Sequence, residues 1–559
     1  MRLGWGISCV LAIGWSSACS SDSESSSQTN PDASTDAGTG GTGGSVQTDG
    51  AAGSTSPDAD ATTTPQPTGS PCSENAECEG GLCLTELIVV GQSWELPEGY
   101  CSQPCTLDTD CDPGSTCYQQ VDDDAVDVGG ACVKSCTRPT ECRSEYTCDN
   151  ETCLPSTPVG AGNGAWGRTW SSVTGAHGAA VDSAGNVYTV VSALPGANLG
   201  GGALGNSGYF HVSFTGAGVY RWAKFVGLPA LGMAGGDQGY FTAGGDDEIT
   251  VAGYDVIGTE LWAHAFPAGL TSEGTDVAAS SSGHVAVAGR ANGKLDAAGQ
   301  NYVHDTPGIS DGAVVLIDPA GTPLWGALFG SGDVRLNAVA FAPNGDVWTA
   351  GRSTAFTFAG KPLANAGVYD VVLTRHSAAN GSEVNGVSFG GTGSEEAIDL
   401  AIDDAGNLFV AGPFTQTMQV GTETLTGPAL FAASFADDGS FRWAKAFGSS
   451  GVVFSARITP DGKFRVAGDF QVSFVVEGTT HASVGNWDVF MVEFDTNGAV
   501  TDSDTWGAPP AGPQTGEDHL LGFAIDQNGA NFFSGTHNGP IDFGSGELLV
   551  GGAFLARVP

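Results

Sequence analysis

The sequence predicts an all-β protein whose main body is a seven-bladed β-propeller of four-stranded blades, behind a small disulfide-rich domain and a disordered tether. Three observations predict it. A glycine-led strand phrase recurs seven times after Trp166, twelve of the fourteen cysteines lie between residues 71 and 154, and residues 20–70 contain no aromatic residue, lysine or arginine. A fixed phrase at intervals of 45 to 67 residues signals an array of like units.

The elements follow in chain order. Met1-Arg2 is a minimal basic start, Leu3 to Trp15 is apolar but too short to span a bilayer, and the small residues Ser16-Ser17-Ala18 lead to Cys19. Residues 1–19 therefore read as an export signal. Residues 20–70 cannot bury a core and form a spacer with a root-mean-square reach of roughly 40 Å. No later stretch approaches a transmembrane helix, so any membrane attachment would go through lipid.

Residues 71–154 hold three four-cysteine modules: Cys72, Cys78, Cys83 and Cys101; Cys105, Cys111, Cys117 and Cys132; Cys136, Cys142, Cys148 and Cys153. An even count in an exported chain reads as disulfides, and segments this short need cross-links in place of a core. Each module allows three pairings, and spacing does not choose among them. Zinc is disfavoured, because the region has no Cys-x-x-Cys pair and no histidine. Asp108, Asp110 and Asp112 alternate as calcium-loop ligands do, but Gly114 stands one place late and the terminal Glu is missing. They read as a solvated acidic loop.

The repeats occupy residues 160–559. The phrase is Gly283-His-Val-Ala-Val-Ala-Gly289, Gly345-Asp-Val-Trp-Thr-Ala-Gly351 or Gly406-Asn-Leu-Phe-Val-Ala-Gly412 in three of its copies. An alternating strand precedes it across a turn such as Asp403-Asp-Ala-Gly406. A third strand, as in Asp370 to Arg375, comes after a loop of variable length, and a fourth carries Trp222, Trp262, Trp325 or Trp443. The second unit is compact, and the fourth has Val387-Ser-Phe389 where others carry Trp. The seventh unit stops after its third strand, Ala553 to Val558, while Trp166 to Trp170 stands unassigned ahead of the first. Joining the two ends would complete one blade and remove the open edge.

These motifs resemble the SBBP-type repeat, a seven-bladed β-propeller family of exported bacterial proteins, over about residues 165–559. The cysteine spacing resembles small Dickkopf and EGF-like modules. Ser16-Ser17-Ala18-Cys19 resembles a bacterial lipoprotein signal, with Ser16 where that family has Leu. The resemblance implies lipidation at Cys19, placement at the outer membrane or cell surface, and an interaction role rather than catalysis.

Catalytic motifs are scarce. Gly308-Ile-Ser310-Asp-Gly312 matches the serine-hydrolase pattern but stands where a third strand begins, not between strand and helix. The fourth-strand tryptophans read as packing between blades. Ten residues before the turn glycine, six units carry Gly175, Glu273, Arg335, Glu396, Val452 and His519. If those positions start innermost strands, Glu273, Arg335, Glu396 and His519 gather at the channel mouth, near Asp276 and Asp518, as a polar binding site. The formal charge of −43 excludes nucleic-acid binding, since no cation cluster is present. The expected function is a lipid-anchored, monomeric binding or scaffold protein with a protein or glycan ligand and no cofactor, its acidity suiting a divalent cation such as calcium or a basic partner. An extracellular propeller enzyme acting on glycan or polymer is the alternative; a convergent carboxylate pair with a raised pKa would favour it.

Overall fold

The computed structural model describes residues 66–558, apart from isolated residues and the stretches 73–75, 90–91, 122–126, 136–145, 150–151, 156–163, 202–203, 305–308, 509–516, 545–546 and 549–551. The export signal, Cys19 and almost all of the tether lie outside the described residues. Those described are strand and turn, with one short 3-10 turn at Asp108–Asp110.

Two cysteine modules are cross-linked alike, first to third and second to fourth: Cys72–Cys83 with Cys78–Cys101, and Cys105–Cys117 with Cys111–Cys132. In each, the third and fourth cysteines face one another across a hairpin, as Cys83 faces Cys101 and Cys117 faces Cys132. Cys148 and Cys153 share that placement, while Cys136 and Cys142 lie outside the described residues. Asp110 accepts the main-chain N–H groups of Thr106 and Leu107, which lowers its pKa and gives this acidic loop a turn-capping role.

Among the described residues beyond Ala165, seven successive antiparallel sheets of four or more strands follow one another, the fourth extended to six strands by the hairpin Met418–Val420 with Glu423–Leu425. Their first strands are Val173–Val181, Gly232–Gly236, Glu273–Ala279, Val334–Phe341, Asp399–Ile402, Gly451–Ile458 and His519–Ile525. Each first strand packs against that of the next sheet, and the seventh packs against the first. The seventh sheet takes its fourth strand from the other end of the chain: Trp166–Trp170 pairs with Gly552–Val558, Trp166 opposite Arg557. Such four-stranded meanders packed face to face are propeller-like.

Turn chemistry explains the recurring acids. Asp182 Oδ1 accepts the N–H groups of Ala184 and Asn186, and Asp403 and Asp526 repeat the pattern. Gly185 closes its turn at φ +81°, where a side chain would be strained.

The tryptophans join sheet to sheet. Trp222, Trp325 and Trp443 donate Nε1–H to Val256, Ala378 and Thr496 in the outer turn of the following sheet. Trp166 donates in the same way to Gly216 of the first sheet, so the seventh contacts the first as any other pair does. A Cβ on Gly258 would lie 2.5 Å from the Trp222 ring, so glycine there lets the indole reach the backbone. In the fourth sheet the register corrects the sequence reading: Asn385, opposite Arg375, holds the place that Trp222 and Trp443 hold opposite Ser213 and Ser434, and donates to the Asp438 carbonyl, with Val387 beside it against Gly439.

The loops between second and third strands differ from the sequence expectation. Five contain a hairpin of their own: Lys294–Ala297 with Gln300–Val303, Phe356–Phe358 with Lys361–Leu363, Met418–Val420 with Glu423–Leu425, Ser473–Val476 with Thr479–Ala482, and Ile541–Asp542 with Glu547–Leu548. Their apolar residues join the cores: Leu295, Phe358, Met418, Phe474 and Ile541 are all buried. These hairpins fill the space between outer strands. The compact second sheet has none; its border with the first is filled by stacked Tyr188, Tyr240 and Tyr254.

Candidate functional site

The expected register is the observed one. Gly175, Glu273, Arg335, Val452 and His519 pair with Ser192, Arg290, Arg352, Asp469 and Thr536, in each case just past the end of the repeated phrase. Glu396 donates its N–H to the matching Pro413 carbonyl. These residues thus occupy equivalent places at the starts of first strands. In an antiparallel sheet that end also carries the loops between second and third strands.

The four proposed mouth residues are held by separate partners. Glu273 pairs with Arg290 at 3.0 Å, and Arg335 lies 3.5 Å from Asp333. Glu396 bridges sheets, accepting from Arg352 at 2.9 Å and from Asn337 at 2.9 Å. Arg352 also lies over the Tyr369 ring. His519 contacts Asp469 of the preceding sheet at 2.8 Å. None of the four is hydrogen-bonded to another. Asp518, the neighbour of His519, is buried and accepts N–H groups of Ala508 and Asn538; burial pushes its pKa to about 6.

The Asp469–His519 pair anchors the richest part of this end. Asp469 is fully buried and also accepts the Leu520 N–H; burial pushes its carboxyl up to about 6, and its hydrogen bond raises the His519 pKa. The Trp487 ring lies 5.7 Å from that of His519. Val452 pairs with Asp469, and the Val472 carbonyl accepts the Ser483 N–H next to Val484; these three valines are exposed by 38%, 80% and 54%. Val472 further has φ +62°, a left-handed conformation that a β-branched residue strongly disfavours. Sequence reasoning found His519 and Val452 by register. It missed Val472 and Trp487, because nothing in the repeat marks a loop residue as exposed.

Deeper in the first strands a second group gathers. Asp399 Oδ2 accepts from Ser455, from the Ala456 N–H and from Arg457, the last at 2.6 Å. Asp276 accepts the Val339 N–H. Burial and the Asp399 charge raise Asp276 to about 7, with Arg457 opposing. Each carboxylate thereby clasps the first strand of the following sheet. Asp276 and Asp399 stand three places after Glu273 and Glu396, a repeat visible in the sequence.

At the opposite end, the turns of the seventh, first, second and third sheets border an open depression of about 290 Å³ lined by Asp182, Asp237, Asp526, Ser183, Ser280 and Gln527. Asp182 and Asp526 are committed to their turns there. The described cysteines of the first two modules are in disulfides, so they offer no thiolate to a metal.

No protein-family model and no curated protein matches the chain. Solved structures to which it is similar include the WD40 β-propeller domain of Doa1, at 9% identity and TM-score 0.36 over 70% of this chain and 96% of that one. BamB from Moraxella catarrhalis shares 12% identity at TM-score 0.31, over 69% of this chain and 85% of that one. YCF48 bound to D1 peptide shares 10% at TM-score 0.35, over 71% and 97%. The propeller-like architecture rests on strand order and inter-sheet packing rather than on these likenesses.

Proposed function

We propose that the chain is an exported, lipid-anchored binding protein that displays a seven-bladed β-propeller, and that it engages a protein partner through the sixth and seventh blades. Seven sheets, cyclic contact of their first strands and the shared seventh sheet support the ring. The lipoprotein-like start and the disulfide modules support export and anchoring at Cys19. The observation that carries the binding role is Val472: an apolar side chain 80% exposed and held at unfavourable φ, its carbonyl accepting the Ser483 N–H next to exposed Val484, three residues before Trp487. Exposed apolar clusters with an aromatic anchor mark interfaces, and backbone strain gathers where function over-determines a loop.

The enzyme reading draws on Asp276, whose raised pKa meets the expectation for a general acid. Its position argues otherwise, because Asp276 and Asp399 spend their oxygens on the neighbouring strands and Arg457. A binding screen of the mature chain against envelope proteins and glycans tests the proposal. Val472→Asp and Trp487→Ala should each weaken the captured protein by roughly tenfold or more while leaving the unfolding temperature within about 1 °C. Capture that both variants leave intact, or capture of glycan alone, refutes it.

A further inference from the structure

Asp370 opens the third strand of the fourth sheet, and Glu395 directly precedes Glu396 at the entry to the fifth. The Glu395 N–H donates to the Tyr369 carbonyl, which brings the two acids together. Asp370 Oδ1 and Glu395 Oε2 lie 2.7 and 2.8 Å from the point a Cβ on Gly390 would occupy. Both residues are buried, at 4% and 0% exposure. Asp370 is oriented by the Asn365 amide and the Ala366 and Gly367 N–H groups, and Glu395 Oε2 by the Gly391 N–H. Glu395 Oε1 has no partner at all, although it is fully buried. A carboxylate oxygen in that state costs several kcal/mol unless neutralised or ligated.

The sixth and seventh sheets repeat the construction with Asp488 and Asp518, the Asp518 N–H donating to the Trp487 carbonyl. There, four main-chain N–H groups, those of Val484, Gly485, Ala508 and Asn538, engage all four oxygens. The Asp370 pair keeps an open oxygen where its counterpart has none. The charge acting on Glu395 is the like charge of Asp370, and burial raises both carboxyls.

We propose that Asp370 and Glu395 form a binding site for a hard divalent cation, with calcium as its ligand. Two carboxylates make an all-oxygen, irregular donor set, which calcium tolerates and magnesium does not. The Gly391 and Gly393 carbonyls gather beside Gly367, that of Gly393 accepting the Val368 N–H. Such a small ligand charge implies an affinity on the order of 10⁻⁴ to 10⁻³ M. The site is independent of the partner surface at the sixth and seventh blades.

Terbium luminescence on the chelator-treated full chain tests this, since Tyr369 adjoins Asp370 and can sensitise a bound lanthanide. The expected result is saturable emission displaced by millimolar calcium. Glu395→Gln, which removes the open oxygen's charge, and Gly390→Ala, which puts a methyl between the carboxylates, should each weaken the calcium-displaceable component roughly tenfold. Asp518→Asn should leave it unchanged. Thermal unfolding identifies folded variants, and Gly390→Ala decides if Glu395→Gln does not fold. Absence of a calcium-displaceable component in the wild-type chain, or its persistence in a folded Glu395→Gln or Gly390→Ala variant, overturns the proposal.

Discussion

Truncating Phe474 tests whether the inserted hairpins are wedges of core or free binding loops. Its ring stacks on Phe490 at 4.3 Å, and Phe470 and Phe447 lie at 5.4 and 6.0 Å. It packs onto Gly448, where any Cβ would collide with it. Phe474→Ala should therefore cost about 3–5 kcal/mol from lost burial and the cavity left behind. A body of about 390 residues has an unfolding entropy near 0.8 kcal/mol per kelvin, so the unfolding temperature should fall by about 4–6 °C. Scanning calorimetry at fixed scan rate measures this against Val472→Ala, which starts from a side chain 80% exposed and should move it by under about 1 °C. Equal small shifts in the two variants would refute the wedge reading and return the hairpin to the class of free loops.

Three further outcomes are expected. Glu477 and Gly478 form the tip of the same hairpin with φ of 45° and 88°, the signature of a type I′ turn, so Glu477→Asn should stabilise by a few tenths to about 1 kcal/mol in chemical denaturation. Disulfide mapping by mass spectrometry should find Cys136–Cys148 and Cys142–Cys153, extending the first-to-third, second-to-fourth order; any other pairing breaks the module rule. Asp276 is raised to about 7, above its unfolded value, so its contribution to stability is complete below about pH 4 and is lost as pH rises through 7. Asp276→Asn escapes that loss, and its unfolding temperature should gain on the wild type by a few degrees between pH 4 and pH 8. A difference that stays flat with pH contradicts that titration.

What was legible in the sequence was whatever repeats for a local reason. Turn glycines need left-handed φ and turn aspartates cap N–H groups, so glycines such as Gly185 recur, joined in three first hairpins by Asp182, Asp403 and Asp526. The alternation between them gave the register that places Glu273, Arg335, Glu396 and His519 in equivalent positions. The inserted hairpins were legible in principle, since Phe356-Thr-Phe358 and Met418-Gln-Val420 alternate as strands do. Their variable spacing made them read as loops.

Pairings between sheets were not legible, because they join residues 44 to 58 positions apart with no motif in common. His519 finds Asp469, Glu396 finds Arg352, and Asp399 finds Arg457 only when neighbouring first strands lie side by side. The same holds for burial. Asp370 and Glu395 look like ordinary loop acids in the chain, yet folding removes both from water and leaves one oxygen without a donor. Sequence by itself determined the β architecture, the repeat and its turns, because these depend on backbone conformation and local side-chain caps. Tertiary structure alone decided which charges neutralise one another, which valine stays in water and which buried oxygen lacks a donor, because those depend on distance across sheets.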